Sequence, residues 1–220
     1  MKFIIRFFIA MMPWLIRRPL LIYFFGYVIH EKASMGWGWV FPKKLRMEAG
    51  SRIDHGTVVK GLEELTMEEN AYIGRLNWIT GEPMESNAFL SERQRNPKLI
   101  LEKEAAITNR HLIDCTDEVL IGAFSTVAGF RSQILTHSIN LHESRQECHS
   151  ISIGSYCFIG TGVIILGGAK LPDYSVLGAG AVLNKKFEQS YRLYAGVPAR
   201  EIQLLEGDKK YFSRKIGYVD

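Results

Sequence analysis

Ile153, Ile159, Ile165, Leu171, Leu177 and Leu183 follow one another at a strict interval of six residues. A helix needs apolar positions three and four apart, and a half-buried strand alternates by two. An interval of six predicts a parallel β-helix, in which each hexad forms one short side of a coil. Four residues after successive aliphatics come Cys157, Val163, Ala169, Ser175 and Ala181, all small enough to lie inside a narrow coil. Gly154, Gly160 and Gly178 directly follow an aliphatic and suit tight corners, where a Cβ would crowd the turn.

Upstream the same count runs through Met67, Ile73 and Ile79, then Leu101, Ile107 and Ile113; two extra residues follow before Ile121 and Val127 resume it. Two polar stretches, 80–97 and 134–150, interrupt the repeat. A solenoid tolerates such insertions as loops leaving a corner, and loops of this kind usually carry binding functions. The expected organisation is mainly β: an apolar N-terminal segment over 1–48, the coil over 49–188, and a tail over 189–220 made of a loop and a short capping helix within 201–215.

The first thirty residues are mostly apolar, but Arg6, Arg17 and Arg18 divide them and Pro13 and Pro19 interrupt any single helix. Each uncharged run falls short of the roughly 20 residues that span a bilayer. Arginines among Phe, Trp and Tyr suit a membrane-interfacial segment whose cations meet lipid headgroups. The alternative is a pair of short helices packed on the coil. Net charge is only +4 over 220 residues, with Lys and Arg scattered rather than striped, which argues against a nucleic-acid partner. The three cysteines, Cys115, Cys148 and Cys157, form no CxxC pair. They point to a reducing, cytoplasmic setting without a disulfide framework or structural zinc.

The chemistry concentrates after Val127, where Thr136-His137-Ser138-Ile139-Asn140 is followed by His142, Glu143 and His149. An imidazole can take and return a proton at neutral pH, so His137 is the candidate general base and Glu143 a carboxylate that could orient it. Counting by hexads puts His111 and Arg131 at equivalent inward positions of successive coils, where both break the small-residue rule. Buried charge is costly unless paired or used, so these two, with Asn109, are expected in a polar pocket for the acceptor. The other possibility is that the extra residues shift the register and turn both side chains to solvent.

The stretch 136–200 resembles the hexapeptide-repeat O-acetyltransferases, the family of maltose, galactoside and xenobiotic acetyltransferases. The matches are Thr136–Asn140 with its histidine, Ile153-Gly154-Ser155-Tyr156-Cys157-Phe158-Ile159-Gly160, Leu177-Gly178-Ala179-Gly180-Ala181-Val182-Leu183, and Ala195-Gly196-Val197-Pro198-Ala199-Arg200. The resemblance implies a left-handed β-helix, a homotrimer with sites between subunits, and direct transfer of acetyl from acetyl-CoA to a hydroxyl in a ternary complex, with His137 as base and no metal. It also implies that Gly160, Thr161, Gly178 and Ala179 flank the pantetheine arm, that Lys185 and Arg200 lie near the CoA phosphates, and that Pro198 lies near the adenine. Asn140 and Phe158 are expected on the acceptor side, although Phe158 stands where the family has tryptophan and cannot supply an indole N–H. The apolar N-terminus favours a sugar or surface-polysaccharide intermediate handled at the inner membrane face; an antibiotic acceptor is the alternative within the class. Two other readings remain open. His137 and His142 have the spacing of two zinc ligands in γ-class carbonic anhydrases, for which His111 is the only upstream third candidate within eighty residues. A non-enzymatic scaffold is the other.

Overall fold

The computed structural model describes residues 2–89 and 94–218; residues 90–93 of the expected 80–97 insertion and 219–220 of the tail lie outside the described residues. Short strands repeat in the order first face, second face, third face, and each pairs in parallel with the strand one coil away, giving sheets of seven, nine and seven strands. The inward columns are the residues the hexads single out. Met67, Leu101, Ile121, Ile153 and Leu171 stack on the first face. Ile73, Ile107, Val127, Ile159 and Leu177 stack on the second, and Ile79, Ile113, Ile134, Ile165 and Leu183 on the third. All of these side chains are fully buried. Parallel strands pair in this way only when a crossover returns the chain to the same edge, and here the other two faces of each coil are that crossover.

Interruptions are confined to corners. The two extra residues between Ile113 and Ile121 form the third corner, where third face meets first, at Cys115–Glu118. One further residue between Val127 and Ile134 is absorbed at the second corner, where Gly129 (φ 72°) and Arg131 (φ 60°) both turn left-handed. That slip corrects one expectation. His111 does occupy the small-residue column with Ser132, Val163 and Ala181, and it is buried. Arg131 instead stacks on Arg110, through Arg131 N–H donating to the Arg110 carbonyl at 3.0 Å, and faces solvent.

The coil also begins earlier than the expected boundary at residue 49. Val28–Ile29, Ser34–Met35 and Trp39–Phe41 already form the three faces, and Ile29, Met35 and Val40 point inward. Their spacing is not a clean six, so the hexad count misses them. The tail differs too. Arg200–Leu204 is not helical but pairs antiparallel with Arg192–Ala195 on the second face, because the last strand otherwise leaves an open edge. Only Lys210–Ser213 turns, as a 3-10 helix.

At the other end, the helices Lys2–Met11 and Trp14–Phe25 cover the first coil. Their arginines do not reach outward, as an interfacial segment led one to expect. The Arg17 guanidinium, 2% exposed, donates to the carbonyls of Ala10 (3.2 Å), Met35 and Gly36 (2.8 Å). Arg18 donates to the Ile29 carbonyl at 2.9 Å, and Arg6 lies over the Phe25 and Phe41 rings. The outer surface left to solvent is apolar: Phe7, Phe8, Leu15, Ile16, Tyr23 and Phe24. No helix among the described residues is long and apolar enough to cross a membrane.

Arg17→Met should therefore loosen the cap. It strands carbonyls that now accept from a cation, at a cost of about 3 kcal/mol, which lowers the melting temperature by roughly 6–12 °C for a chain of this size. Thermal unfolding followed by circular dichroism reads this directly; an unchanged midpoint would show that the helices contribute nothing to the coil.

Candidate active site

The third corner builds a site around one buried carboxylate. Asp114 ends the strand Leu112–Asp114, in register with Thr80 and Leu135 on either side. The chain leaves the third face just beyond, at Leu135, as the hairpin His137–Asn140 and Arg145–Cys148. Asp114 Oδ2 accepts from Thr136 N–H (2.9 Å), Thr136 Oγ1 (2.7 Å), His137 N–H (3.1 Å) and His137 Nδ1 (2.8 Å). Its Oδ1 accepts from Thr116 Oγ1 (2.6 Å) and Thr116 N–H (3.2 Å).

Burial alone would raise the Asp114 pKa, but the bonds from His137, Thr116 and Thr136 outweigh it and hold the carboxyl below its ordinary range. The same bond from Asp114 is the main cause that raises the His137 pKa, against a smaller lowering by burial, with Glu82 adding to the rise. An ionised carboxylate only accepts, so the Nδ1 proton belongs to the imidazole and Nε2 is its basic nitrogen. The ring lies edge-on to Phe89, with centroids 5.9 Å apart. Phe89 is in turn covered by the Arg95 guanidinium, which ties the 80–97 insertion down through the carbonyls of Glu82, Pro83 and Thr116. Together Lys60, Trp78, Glu82, Phe89, Gln146 and His137 line a cavity of about 400 Å³.

Sequence reasoning found the imidazole but gave it the wrong partner. Glu143 sits at the hairpin tip in an ion pair with Arg145, and Asn140 caps that turn by accepting from His142 and Glu143 N–H at 3.0 and 3.1 Å. Asp114, Thr116 and Phe89 were missed. A signal for Asp114 existed: a carboxylate directly after an inward isoleucine, at the one corner with two extra residues.

The expected acceptor pocket of His111, Asn109 and Arg131 does not form beside His137. His111 lies at the opposite end of its strand, where Nδ1 accepts from Ser132 N–H (3.1 Å) and Nε2 meets Thr108 Oγ1 (3.0 Å). Burial lowers its pKa to about 4, so it stays neutral. Asn109 Oδ1 accepts from Arg75 N–H at 2.7 Å on the second corner. Phe158 faces outward from the second face, edge-to-face with Tyr211 of the tail at 5.9 Å. The zinc arrangement does not assemble either: His142 is on the hairpin tip, His111 is locked in the core, and no group of three candidate ligands converges among the described residues.

Of the residues expected to meet the coenzyme, Gly160 and Thr161 stack directly on Gly178 and Ala179 along the second corner. A Cβ on Gly160 would sit 2.6 Å from the Ala179 nitrogen, so glycine is required there. The next coil continues the ridge through Gly196, whose carbonyl accepts from Val182 N–H at 3.0 Å, and Pro198 follows it. Arg200 starts the adjoining strand and is exposed. Lys185 stands apart, at the third-corner end of its coil, over the Phe187 ring. Among the described residues no activated nucleophile adjoins the imidazole: the Thr136 hydroxyl is committed to Asp114, Ser138 bonds Glu147 at 3.2 Å, and burial pushes the Cys157 thiol up to about 12.

A three-sided left-handed coil of this kind is the fold of the hexapeptide acyltransferases. The chain matches no protein-family profile. Galactoside O-acetyltransferase of Escherichia coli (strain K12) is 29% identical to it over 163 residues, covering 72% of this chain and 76% of that protein. Among solved structures, the polysialic acid O-acetyltransferase OatWY superposes with a TM-score of 0.64 at 17% identity, covering 86% of this chain and 90% of that one. A mutant of AntD, an N-acyltransferase from Bacillus cereus in complex with dTDP-4-amino-4,6-dideoxyglucose and Coenzyme A, gives 0.52 at 14%, covering 86% and 89%; these two likenesses speak for the fold. The chain thus shares the fold of these acyltransferases and is similar in sequence to a galactoside O-acetyltransferase.

An NMR titration of the imidazole checks the geometry. His137 should titrate above 6.5, and Asp114→Asn should bring it down, because the neutral amide no longer stabilises the imidazolium. Coincident titrations would mean that the contact is not formed in solution.

Proposed function

We propose that His137 is the general base for acetyl transfer from acetyl-CoA to a sugar hydroxyl. In this reading Nε2 takes the hydroxyl proton while the oxygen attacks the thioester carbonyl carbon. The C–S bond then breaks, and the imidazolium returns the proton to the departing thiolate. Asp114 fixes the tautomer and stabilises the cation formed in between. The observation that carries the reading is the 2.8 Å bond that Nδ1–H donates to Asp114, which leaves the basic nitrogen unspent beside a cavity of substrate size. The absence of an activated nucleophile next to the ring, among the described residues, favours direct transfer over an acyl-enzyme. For the acceptor, Trp78 is half exposed in that cavity with Lys60 over its ring at 5.2 Å, a platform of the kind on which a sugar ring can stack. The relatives' own acceptors, a galactoside and polysialic acid, point the same way.

The coenzyme is assigned to the ridge of Gly160, Thr161, Gly178 and Ala179, with Pro198 and Arg200 at its C-terminal end. That ridge and His137 lie at opposite ends of the third face, some five residues or about 16 Å apart at the rise of a strand. A site that uses both therefore takes its imidazole from one chain and its ridge from another, which supports a homotrimer. The apolar outer face of the two N-terminal helices supports peripheral contact with the cytoplasmic membrane from its inner side, where a lipid-linked or polymeric glycan would be met.

His137→Ala should lower kcat/KM by about 10²–10⁴-fold, with acetyl-CoA affinity retained; full activity in that variant would remove the imidazole from the mechanism. Because the base must be neutral and its pKa is raised, kcat/KM should fall as pH drops through a value above 6.5. In Asp114→Asn that limb should move to lower pH while the plateau falls. Sedimentation equilibrium should give three copies per particle, and flotation with phosphatidylcholine vesicles should carry the chain upward; a monomer, or a protein left at the bottom, would refute the corresponding assignment.

A further inference from the structure

The second corner carries a second feature, separate from the His137 site and the coenzyme ridge. Arg52, Asp54, Arg75, Asn109, Arg110 and Phe130 line a cleft of about 580 Å³. Three guanidinium groups thus meet a single carboxylate, three positive charges against one negative. Asp54 is buried and already saturated. It accepts from Arg52 at 2.8 and 2.6 Å and from the Tyr72 hydroxyl at 2.9 Å, with Arg75 at 3.6 Å. Burial would raise its pKa, but the bonds from Arg52 and Tyr72 outweigh this and keep it ionised. It therefore anchors two of the arginines without cancelling the third. The Arg52 and Arg75 side chains remain 55% and 66% exposed, and Arg110 has no carboxylate partner among the described residues. Like charges gathered with this little compensation repel one another unless an anion joins them.

The backbone at Arg110 adds an independent observation. Its φ is +59°; the corresponding corners of other coils hold Gly56, Gly162 and Gly180 at +76°, +65° and +69°, and Leu76 and Arg131 on the adjoining coils at +57° and +60°. That conformation suits glycine and strains an L side chain. An arginine held there, on a rigid coil and beside two others, is positioned at the expense of local stability. Planar guanidiniums offer paired N–H donors that match phosphate and carboxylate oxygens. Asn109, whose Oδ1 is taken by Arg75 N–H, leaves its amide nitrogen as a further donor.

The cleft is continuous with the ridge assigned to the coenzyme. Phe130, on its wall, donates its N–H to Thr161 Oγ1 at 3.0 Å. It lies on the N-terminal side of that ridge, away from the Ala195–Arg200 end. We infer that this cleft is an anion site for the acceptor: Arg110 and Arg75, backed by Arg52, hold a phosphate or carboxylate carried by the glycan whose hydroxyl is acetylated. This rests on the acetyl-transfer reading above and adds the class of acceptor, an anionic one.

The test is calorimetric titration of the full chain saturated with CoA, which occupies the coenzyme's own phosphate contacts. The probes are inorganic pyrophosphate, a trimer of galacturonic acid, and a neutral galactose trimer. An anionic probe should bind and the neutral one should bind at least tenfold more weakly; preference between pyrophosphate and the uronate trimer decides whether phosphate or carboxylate is the group read. Arg110→Gly should weaken the anion at least tenfold while raising the melting temperature, since glycine relieves the strained corner. Arg75→Gln should weaken it without that rise. Acetyl-CoA affinity should be unchanged in both. Absence of anion binding in the unmodified chain, retention of it in Arg110→Gly, or an equal loss of acetyl-CoA affinity would each overturn the inference, the last by returning the cleft to the coenzyme. Failure of the unmodified chain to bind acetyl-CoA would instead strike at the acetyl-transfer reading itself.

Discussion

Each coil is held to the next by backbone bonds along the long axis, such as Thr108 N–H to the Val127 carbonyl at 2.9 Å and Gly122 N–H to the Ile153 carbonyl at 2.8 Å. This lateral pairing is the constraint that everything else obeys. A slip of one residue in a strand would turn its inward aliphatic to solvent, and the stacked columns of isoleucine and leucine make that slip expensive along every face. Extra residues can enter only where pairing is already broken, at a corner. Both features to which function is assigned above, the His137 hairpin and the arginine cleft, lie at corners where the interval departs from six or the backbone turns left-handed.

The site exploits a second consequence of rigidity. Six donors converge on the Asp114 carboxylate from Thr116, Thr136 and His137, which no flexible loop would hold together against its conformational entropy. The signs of the two pKa shifts then separate stability from activity. Asp114, depressed, stabilises the fold above its ordinary value near 3.8 and loses that contribution as pH falls through its folded value. His137, raised, contributes fully below 6.5 and loses its share as pH rises through its folded value. The ion pair is therefore intact between the two. The general base proposed for His137, however, must be neutral, so in that reading catalysis is favoured on the side where the pair has lost its charge and only the hydrogen bond from Nδ1 remains. The surrounding Thr116 and Thr136 bonds do not depend on the imidazole's charge, and they keep Asp114 in place there.

What could be read from the sequence follows from which forces leave a periodic trace. Burial on a six-residue coil does, and it exposed the fold, the corner glycines and the loop that bears His137. The identity of a hydrogen-bond partner does not. Glu143 is near His137 in sequence, but Asp114 is near it in space, one coil away, and only the stacking of strands reveals this. His111 and Arg131 show how sensitive the reading is to register. One additional residue between Val127 and Ile134 moves Arg131 out of the small-residue column that His111 shares with Ser132, so one is a neutral core group and the other a solvent-facing corner. The arginines of the first thirty residues failed for another reason: composition suggested headgroup contacts, whereas exposed carbonyls at the end of the coil were the nearer acceptors.

Arginine thus serves opposite ends in two parts of one molecule. Arg17 is enclosed and its donors are spent on three carbonyls, so desolvation is offset by hydrogen bonds and its pKa falls only to about 10; it remains charged, and it caps. Arg110 is exposed, has no carboxylate partner among the described residues, and sits in a backbone conformation that favours glycine. Capping explains the first completely, because replacing it leaves carbonyls unsatisfied. Nothing in the packing of the coil requires the second, since Gly56, Leu76, Gly162 and Gly180 close the same turn on other coils without an arginine. A residue that the fold does not need, beside two like charges that share a single carboxylate, is what the anion site proposed above accounts for.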